Sequence, residues 1–456
     1  MLRLAPTLAT AVLLLAAATA QDPTRRDADD ALERALADLP KTAGSGTVAT
    51  PPAQQDLGSV GPFTLQKLSF DLLFAAGTST ERDDALQDLQ GGGHDPRKRG
   101  FTLQNAELSL QGAVDPYFTT DLHLITFLDP IEGETVIELE EAFVTTTQLP
   151  HGFELEVGHF FTEFGRHNPR HPHAWDFLDA PLIHTRIFGP DGIRAPGARL
   201  GWLTPLPWFA ELHLGVQNAS GETMASFLAS DEFFAERPIG GRAFVEREVH
   251  ALRDLVWLAR FVQSFEPFQA TTVQCGVSGL FGPNAAGRGT ATTVGGLDLV
   301  VRWSDELGGR QADELVWQSE VLARDYATDT FTDEGDPLDP GDDVTVPGES
   351  LDDFGFYSQL TWRFESQWRA GLRVEHAGGR GRSYDVAARQ LASRAVDPFR
   401  NDRTRISPLL EWAPSHFSRV RVQYNFDDAA TLDGGEAHSV WLGGEFALGA
   451  HPAHRF

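Results

Sequence analysis

From residue 62 onward, apolar and polar side chains alternate along the chain with a period of two residues. Between 367 and 376, for example, Trp368, Ala370, Leu372 and Val374 alternate with mainly charged residues. Strict alternation over about ten residues is typical of strands in a transmembrane β-barrel, which turn apolar side chains to lipid and polar ones to the lumen. A soluble sandwich with one wet face shows the same alternation in any single strand, so the connections have to distinguish the two folds.

About sixteen segments carry this alternation. They lie near 62–77, 100–114, 116–128, 136–147, 152–162, 196–204, 207–217, 253–265, 268–282, 291–303, 312–327, 353–366, 367–379, 402–414, 416–427 and 438–456. The links after even-numbered segments are mostly tight, as in VDPY at Val114, whereas those after odd-numbered segments are generally long and polar, as in 163–195. Outer-membrane barrels alternate short and long connections in this way and have an even number of strands. The pattern therefore predicts an all-β fold, a closed antiparallel transmembrane β-barrel of about sixteen strands with long external loops.

The two ends of the chain carry features of an exported barrel. Residues 1–20 combine Arg3, a short apolar core and a small-residue exit at Ala18–Ala20, which predicts a signal peptide. Residues 21–61 predict a periplasmic lead-in with a short amphipathic helix and a flexible linker, and 62–456 form the predicted barrel. The aromatic Phe456 resembles the terminal signal read by the barrel assembly machinery, and lipid of the outer membrane would surround the strands.

Composition narrows the functional classes. The net charge of −28 makes nucleic acid an unsuitable partner. The single cysteine, Cys275, excludes a disulfide framework within one chain. No motif commits a serine or histidine to a catalytic role, so we expect the protein not to be an enzyme.

Three stretches support a family resemblance: GFTLQNAELSLQGAVDPYF, ELEEAFVTT and ELEVGHFFTEFGRHNPRHPHAWDF. The chain resembles the porin O and P superfamily of phosphate-selective, trimeric outer-membrane barrels. It is most similar to porin-like proteins labelled zinc-regulated TonB-dependent outer membrane receptors. The resemblance implies a homotrimer, a sixteen-stranded barrel with an inward-folded constriction loop, and lumenal basic residues that guide anions. Because only about forty residues lie between the predicted cleavage site and the first strand, too few for a plug domain, we expect a passive channel.

The connection after the fifth predicted strand is the position of the constriction loop in general porins. Its prolines predict an irregular but stiff segment. Three interpretations of its side chains remain open. Its histidines could bind a metal such as zinc, although no cofactor is required; these are His167, His171, His173 and His184. Its charged residues could form a pore constriction; these are Arg166, Arg170, Arg186, Arg194, Asp176 and Asp179. They could also simply satisfy loop backbone and wall carboxylates.

The polar positions that alternate with apolar ones along the strands should face inward, and their charges predict a lumen with two differently charged walls. Its first half presents Glu107, Asp121, Glu154, Glu156 and Glu211, and its second half presents Arg260, Arg302, Arg363, Arg369, Arg373, Arg405, Arg419 and Arg421. Opposed walls would produce a transverse field that admits small polar solutes or ions, whereas ion pairs between the walls would have no role in selectivity. We therefore expect an outer-membrane porin for small polar solutes, with a preference for anions or phosphate. The alternative is an outer-membrane receptor or uptake channel for a divalent metal such as zinc.

Overall fold

The computed structural model describes residues 59–60, 63–129, 133–304, 313–335, 340–432 and 434–449. The predicted signal peptide, almost all of the lead-in and the terminal Phe456 lie outside these residues. Within the described part of the chain, no helix has both the length and the apolar character needed to cross a membrane.

Sixteen long strands form the body of the protein. They are β1 (Phe63–Ser79), β2 (Gly100–Asp115), β3 (Phe118–Leu128), β4 (Thr135–Thr146), β5 (Phe153–Phe161), β6 (Arg194–Leu203), β7 (Phe209–Gln217), β8 (Val256–Phe268), β9 (Thr271–Pro283), β10 (Ala291–Ser304), β11 (Glu314–Ala327), β12 (Ser350–Glu365), β13 (Trp368–Gly379), β14 (Arg403–Ser415), β15 (Ser418–Ala429) and β16 (Glu436–Gly449). The predicted strand segments match these bounds to within about three residues, except that the last predicted segment runs on to 456, outside the described residues.

The sheet closes on itself. Every strand pairs antiparallel with the next strand in the chain, and β1 also pairs with β16, where Ser69–Ser79 align with Gly449–Ser439. Closure leaves no free edge among the sixteen strands, so their backbone groups find partners within the sheet. The predicted closed sixteen-stranded antiparallel barrel is confirmed.

Neighbouring residues along a strand lie in opposite environments. In β13, the side chain of Leu372 is 47% exposed on the outer face, whereas the next residue, Arg373, is 1% exposed and points into the lumen. The outer face presents apolar residues on every sector, including Leu214, Val277, Leu297, Val321, Phe356, Leu410, Val422 and Leu442. This arrangement, apolar outside and charged inside, is the reverse of a water-soluble protein and suits a barrel surrounded by lipid.

Mostly tight turns join the strands at one end of the barrel, and mostly longer connections join them at the other. Aromatic side chains gather at the tight-turn end, where Phe153 stacks on Trp202 at 5.7 Å and Trp368 lies 6.4 Å from Trp412. The longer connections contain the helices α1 (Asp83–Leu89), α2 (Leu182–Phe188) and α3 (Asp231–Glu236). They also contain two small hairpins, Phe331–Asp333 with Val344–Val346 and Ser383–Asp385 with Gln390–Ala392.

Six single turns of 3-10 helix and one very short strand complete the secondary structure of the described residues. The turns are Pro150–Gly152, Pro172–Ala174, Ile239–Gly241, Leu252–Asp254, Pro340–Asp342 and Arg394–Val396, and the strand Ser59–Val60 pairs with the start of β1.

The connection between β5 and β6, residues 162–193, folds into the lumen as predicted, and we call it the inward loop. Its backbone is irregular because Pro172 opens a single 3-10 turn, Pro181 precedes α2, and Gly189 ends α2 at a φ of 83°. Its apolar residues Phe164, Ile183 and Phe188 pack on inward-facing side chains near the long-connection end of the wall, including Leu258, Leu280, Val294 and Leu322. One sector of the lumen is therefore a packed apolar core.

Candidate functional site

Backbone groups of the inward loop bind wall side chains around much of the ring. Gly165 N donates to Ser278 Oγ on β9 at 3.1 Å, and Leu178 N donates to Gln423 Oε1 on β15 at 2.8 Å. Between these points, Leu182 N donates to Glu375 on β13 at 3.2 Å. The inward loop is thus held from several sides and spans the lumen.

The two loop aspartates predicted at the constriction meet the arginine wall. Arg369 Nη1 on β13 lies 2.6 Å from Asp176 Oδ1, and Arg405 Nη1 on β14 lies 2.9 Å from Asp179 Oδ2. Asp179 also pairs with Arg373 on β13. Such charge-assisted bonds are strong where water is excluded; Asp179 is fully buried and Asp176 is largely buried.

The charges around these aspartates stabilise their ionised forms. Burial on its own raises the pKa of Asp176, but Arg369 and Arg170 outweigh it and lower the pKa from 3.8 to about 2. For Asp179, Arg373 and Arg405 likewise overcome burial and lower the pKa to about 2.

The arginines predicted for the second half of the lumen wall form ion pairs with carboxylates. Besides the loop aspartates, Glu411 and Glu445 contact Arg369, Arg419 and Arg421, and Asp427 contacts Arg405. Arg260 pairs with Asp298 at 2.6 Å, while Arg302 and Arg363 both reach Glu314 at 3.5 and 3.1 Å. The predicted basic wall is present, but ion pairs neutralise most of its charge.

The predicted constriction arginines do not converge on one opening. Arg166 Nη1 reaches Gln274 on β9 at 3.3 Å, whereas Arg186 binds backbone carbonyls near Arg400. Arg194 is the first residue of β6, not part of the loop as predicted, and it pairs with Glu138 on β4. Arg170 lies beside the cavity described next. These four cations face different sectors of the wall.

An acidic cavity of about 440 Å³ lies between the inward loop and the first-half wall. Five carboxylate side chains line it, from Asp121, Glu141, Glu154, Glu156 and Glu163, against three cationic ones, from Lys67, Arg170 and Arg199. Arg199 on β6, which the sequence analysis missed, lies 2.7 Å from Glu156 and 3.0 Å from Glu163. Alternation along β6 could have identified Arg199, because it places this residue at a position that faces the lumen. The predicted wall residue Glu211 lies on β7, 3.5 Å from His213.

The four predicted metal-binding histidines separate into two groups. His167 and His184, with ring centres 4.8 Å apart, lie at Glu320 on β11, and His184 Nε2 is 2.9 Å from its carboxylate. Burial and the nearby His184 lower the pKa of His167 well below its ordinary value. His171 and His173 instead meet Glu107 on β2. The four therefore do not form one site.

Known proteins that are similar to this chain match it over most of its length. It is 28% identical over 434 residues to an uncharacterized protein of Aquifex aeolicus (strain VF5), covering 87% of this chain and 82% of that protein. Its structure is similar to the outer membrane channel DcaP of Acinetobacter baumannii, with a TM-score of 0.49 and 11% identity over 85% of this chain and 97% of that one. It is also similar to Pseudomonas putida OprB, with a TM-score of 0.47 and 9% identity over 85% and 94% of the two chains. No family model matches the sequence.

Proposed function

We propose that the protein is an outer-membrane channel through which small polar solutes diffuse, with a preference for cations. The closed barrel with an apolar outer face supports the membrane location, because every outward sector would otherwise expose apolar surface to water. The polar part of the lumen beside the inward loop supports passage of small hydrophilic solutes rather than large ones.

The observation that carries the charge preference is the acidic cavity. Five carboxylates and three cationic side chains line it. Burial alone would lower the pKa of His171, but Glu140 and Glu107 outweigh it and raise the pKa well above its ordinary value. Glu107 likewise raises the pKa of His173, so these two cationic histidines are offset by the two buried carboxylates that they contact. The cavity with these contacts therefore carries two net negative charges, seven carboxylates minus five cations. The arginines that led us to expect anion preference are engaged by Asp176, Asp179 and wall carboxylates, and they offer little unbalanced positive charge. Anion preference remains a prediction, and the geometry favours the opposite sign.

The reversal potential of the purified protein in a planar bilayer under a KCl gradient tests this proposal. We expect a sign that corresponds to K⁺ preference. The double substitution Asp121→Asn with Glu154→Gln should move the reversal potential toward zero, because it removes two negative charges from the cavity. The effect should shrink at high ionic strength.

The matched control removes the same charge from a surface connection. Glu246 and Glu248 are exposed in the link between β7 and β8, so Glu246→Gln with Glu248→Gln should leave the reversal potential near the wild-type value. A wild-type preference for Cl⁻ would reject the cation proposal. Absence of conductance in a folded, inserted barrel would reject the channel itself.

Three features implied by the sequence remain proposals about assembly. A homotrimer, a signal peptide cut after residue 20 and recognition of Phe456 by the barrel assembly machinery are each testable on the expressed protein. Native mass spectrometry in detergent should give three chains per particle and a mature chain that begins at Gln21.

A further inference from the structure

Three histidines and three glutamates meet where the inward loop contacts the first-half wall. Glu107 comes from β2, His123 from β3, Glu140 and Glu141 from β4, and His171 and His173 from the inward loop. The Glu107 and Glu140 side chains are essentially fully buried. Residues far apart in sequence thus form one cluster, which we call the His–Glu cluster.

A β-bulge explains how two successive glutamates both face the lumen. The register between β3 and β4 shifts so that His123 pairs with Glu141 while Leu124 pairs with Leu139, which leaves Glu140 as the extra residue. Strict alternation would turn one of the two glutamates outward, but the bulge re-aims the side chain. Glu140 and Glu141 are 1% and 9% exposed, so both are inside.

The distances within the cluster fit a small ion. Glu107 Oε1 lies 3.0 Å from His123 Nδ1 and 3.3 Å from His171 Nδ1. One ligand atom from each of Glu107, His123 and His171 falls within 4.8 Å of the others. A tetrahedral site with bonds of about 2.0–2.1 Å requires neighbouring ligand atoms to be about 3.3 Å apart.

Glu140 provides independent support for a missing ligand. Its Oε2 lies 2.6 Å from His171 Nδ1, yet the two atoms lack hydrogen-bond geometry, and each is buried without a hydrogen-bond partner. A buried carboxylate oxygen without a hydrogen bond is costly. Their 2.6 Å separation is shorter than the about 3.3 Å between tetrahedral ligand atoms, so a cation bound by both would move them slightly apart and would then satisfy both.

We propose that Glu107, His123 and His171 bind one divalent transition-metal cation, with Glu140 as a fourth ligand. Imidazole nitrogens with carboxylate oxygens suit zinc and its neighbours. The surrounding bonds match those of a metal site, because His171 Nε2 lies 2.8 Å from Glu141 and His173 Nδ1 lies 2.9 Å from the other oxygen of Glu107. Outer carboxylates of this kind orient ligating histidines and strengthen metal binding.

The acidic cavity gives this site an approach. His123, His171 and Glu141 line the cavity together with Asp121, Glu154 and Glu163. Carboxylates along a lumenal path raise the local concentration of dications before they reach the ligands. Because the ligands come from both the wall and the inward loop, bound metal would also fasten the loop to β2, β3 and β4. The site goes beyond the channel proposal and does not depend on conductance.

Zinc titration of the full-length protein in detergent at neutral pH, with a chromophoric chelator as competitor, tests the proposal. We expect one zinc ion per chain, and at least about tenfold weaker binding in His123→Gln and in His171→Gln. His184→Gln is the matched control, because His184 is a buried histidine of the same loop that contacts Glu320 instead. It should bind zinc like the wild type.

Cobalt provides a second measurement, because only a coordinated metal ion, and not a His–Glu ion pair, gives the expected absorption. Co²⁺ bound by two imidazoles and carboxylates should give visible d–d absorption in the wild type and in His184→Gln, and should lose it in His123→Gln. His123 lies on a wall strand, so this variant tests the site even if His171→Gln fails to fold. Equal zinc affinity in wild type and His123→Gln, or equal loss in all three variants, would overturn the proposal.

Discussion

Asp179, in the middle of the inward loop, lies 2.9 Å from Arg405 on the far wall of the barrel. The same carboxylate accepts hydrogen bonds from Gln423 at 2.8 Å and from Asn425 at 2.7 Å. One loop side chain thus joins three residues on β14 and β15, and it does so where the loop is farthest from its own strands. This contact explains how a connection that begins at β5 is held across the lumen.

Removing this carboxylate should release the middle of the loop. Asp179→Ala removes the partner that Arg405 and Arg373 share, although Asp427 and Glu375 still contact them, and each lost hydrogen bond between charged groups costs about 1.5–3 kcal/mol. We expect faster amide hydrogen exchange in the inward loop and larger single-channel conductance. Asp329→Ala, an exposed aspartate in another connection, is the control and should change neither measurement. Unchanged exchange in Asp179→Ala would show that the apolar contacts alone hold the loop.

Docking of the loop should weaken in acid through Asp176. Its pKa is about 2 in the folded protein and 3.8 in its ordinary state, so the folded protein holds the ionised form more tightly. The resulting stability is complete above about pH 5 and is lost as the pH falls through 3.8 toward about 2, and it amounts to about 2 kcal/mol. Hydrogen exchange of the loop, corrected for intrinsic rates, should show this loss.

The Asp176→Asn variant tests the assignment of that pH dependence. Its loop should be less protected than the wild-type loop at pH 6, because the amide cannot pair with Arg369 as a charge. The two proteins should converge near pH 2. If the variant keeps the full wild-type pH dependence, other carboxylates are responsible.

The apolar part of the lumen should be sensitive to a single methyl group. A Cβ on Gly296 would lie 2.7 Å from two ring atoms of Phe164, which is fully buried, whereas a Cβ on the adjacent Gly295 would meet nothing within 4 Å. Gly296→Ala should therefore destabilise loop docking by about 1–3 kcal/mol through overpacking. Gly295→Ala is the matched control, and limited proteolysis of the loop in intact barrels should separate the two. Equal protection in both variants would mean that Phe164 moves aside at no cost.

Removing one partner of the buried Arg260–Asp298 ion pair should destabilise the barrel more than replacing both partners with apolar residues. Arg260→Met leaves a buried aspartate without its cation and should cost about 3–5 kcal/mol in urea-induced unfolding from lipid vesicles. The double substitution Arg260→Met with Asp298→Leu should cost less than the single one, since no charge remains unpaired. A double variant at least as unstable as Arg260→Met would contradict this.

Much of the barrel follows from local patterns. Leu372 and Arg373 are neighbours with opposite surroundings, and a period of two encodes that difference without reference to distant residues. The same alternation could have found Arg199 and His123, because both lie on strands at inward-facing positions. The inward position of both Glu140 and Glu141 could not be found in this way, since it depends on a bulge that interrupts the alternation.

By itself, the sequence determined the barrel, its sixteen strands and the loop that enters it, because alternation and connection length are properties of short stretches of chain. Only the tertiary structure decided which charges meet. His171 lies beside Glu107 and Glu140, while His184, in the same loop, lies beside Glu320 on a distant strand. Those pairings are set by the path of the loop across the lumen and by strand register, and both depend on packing among residues that are far apart in the chain.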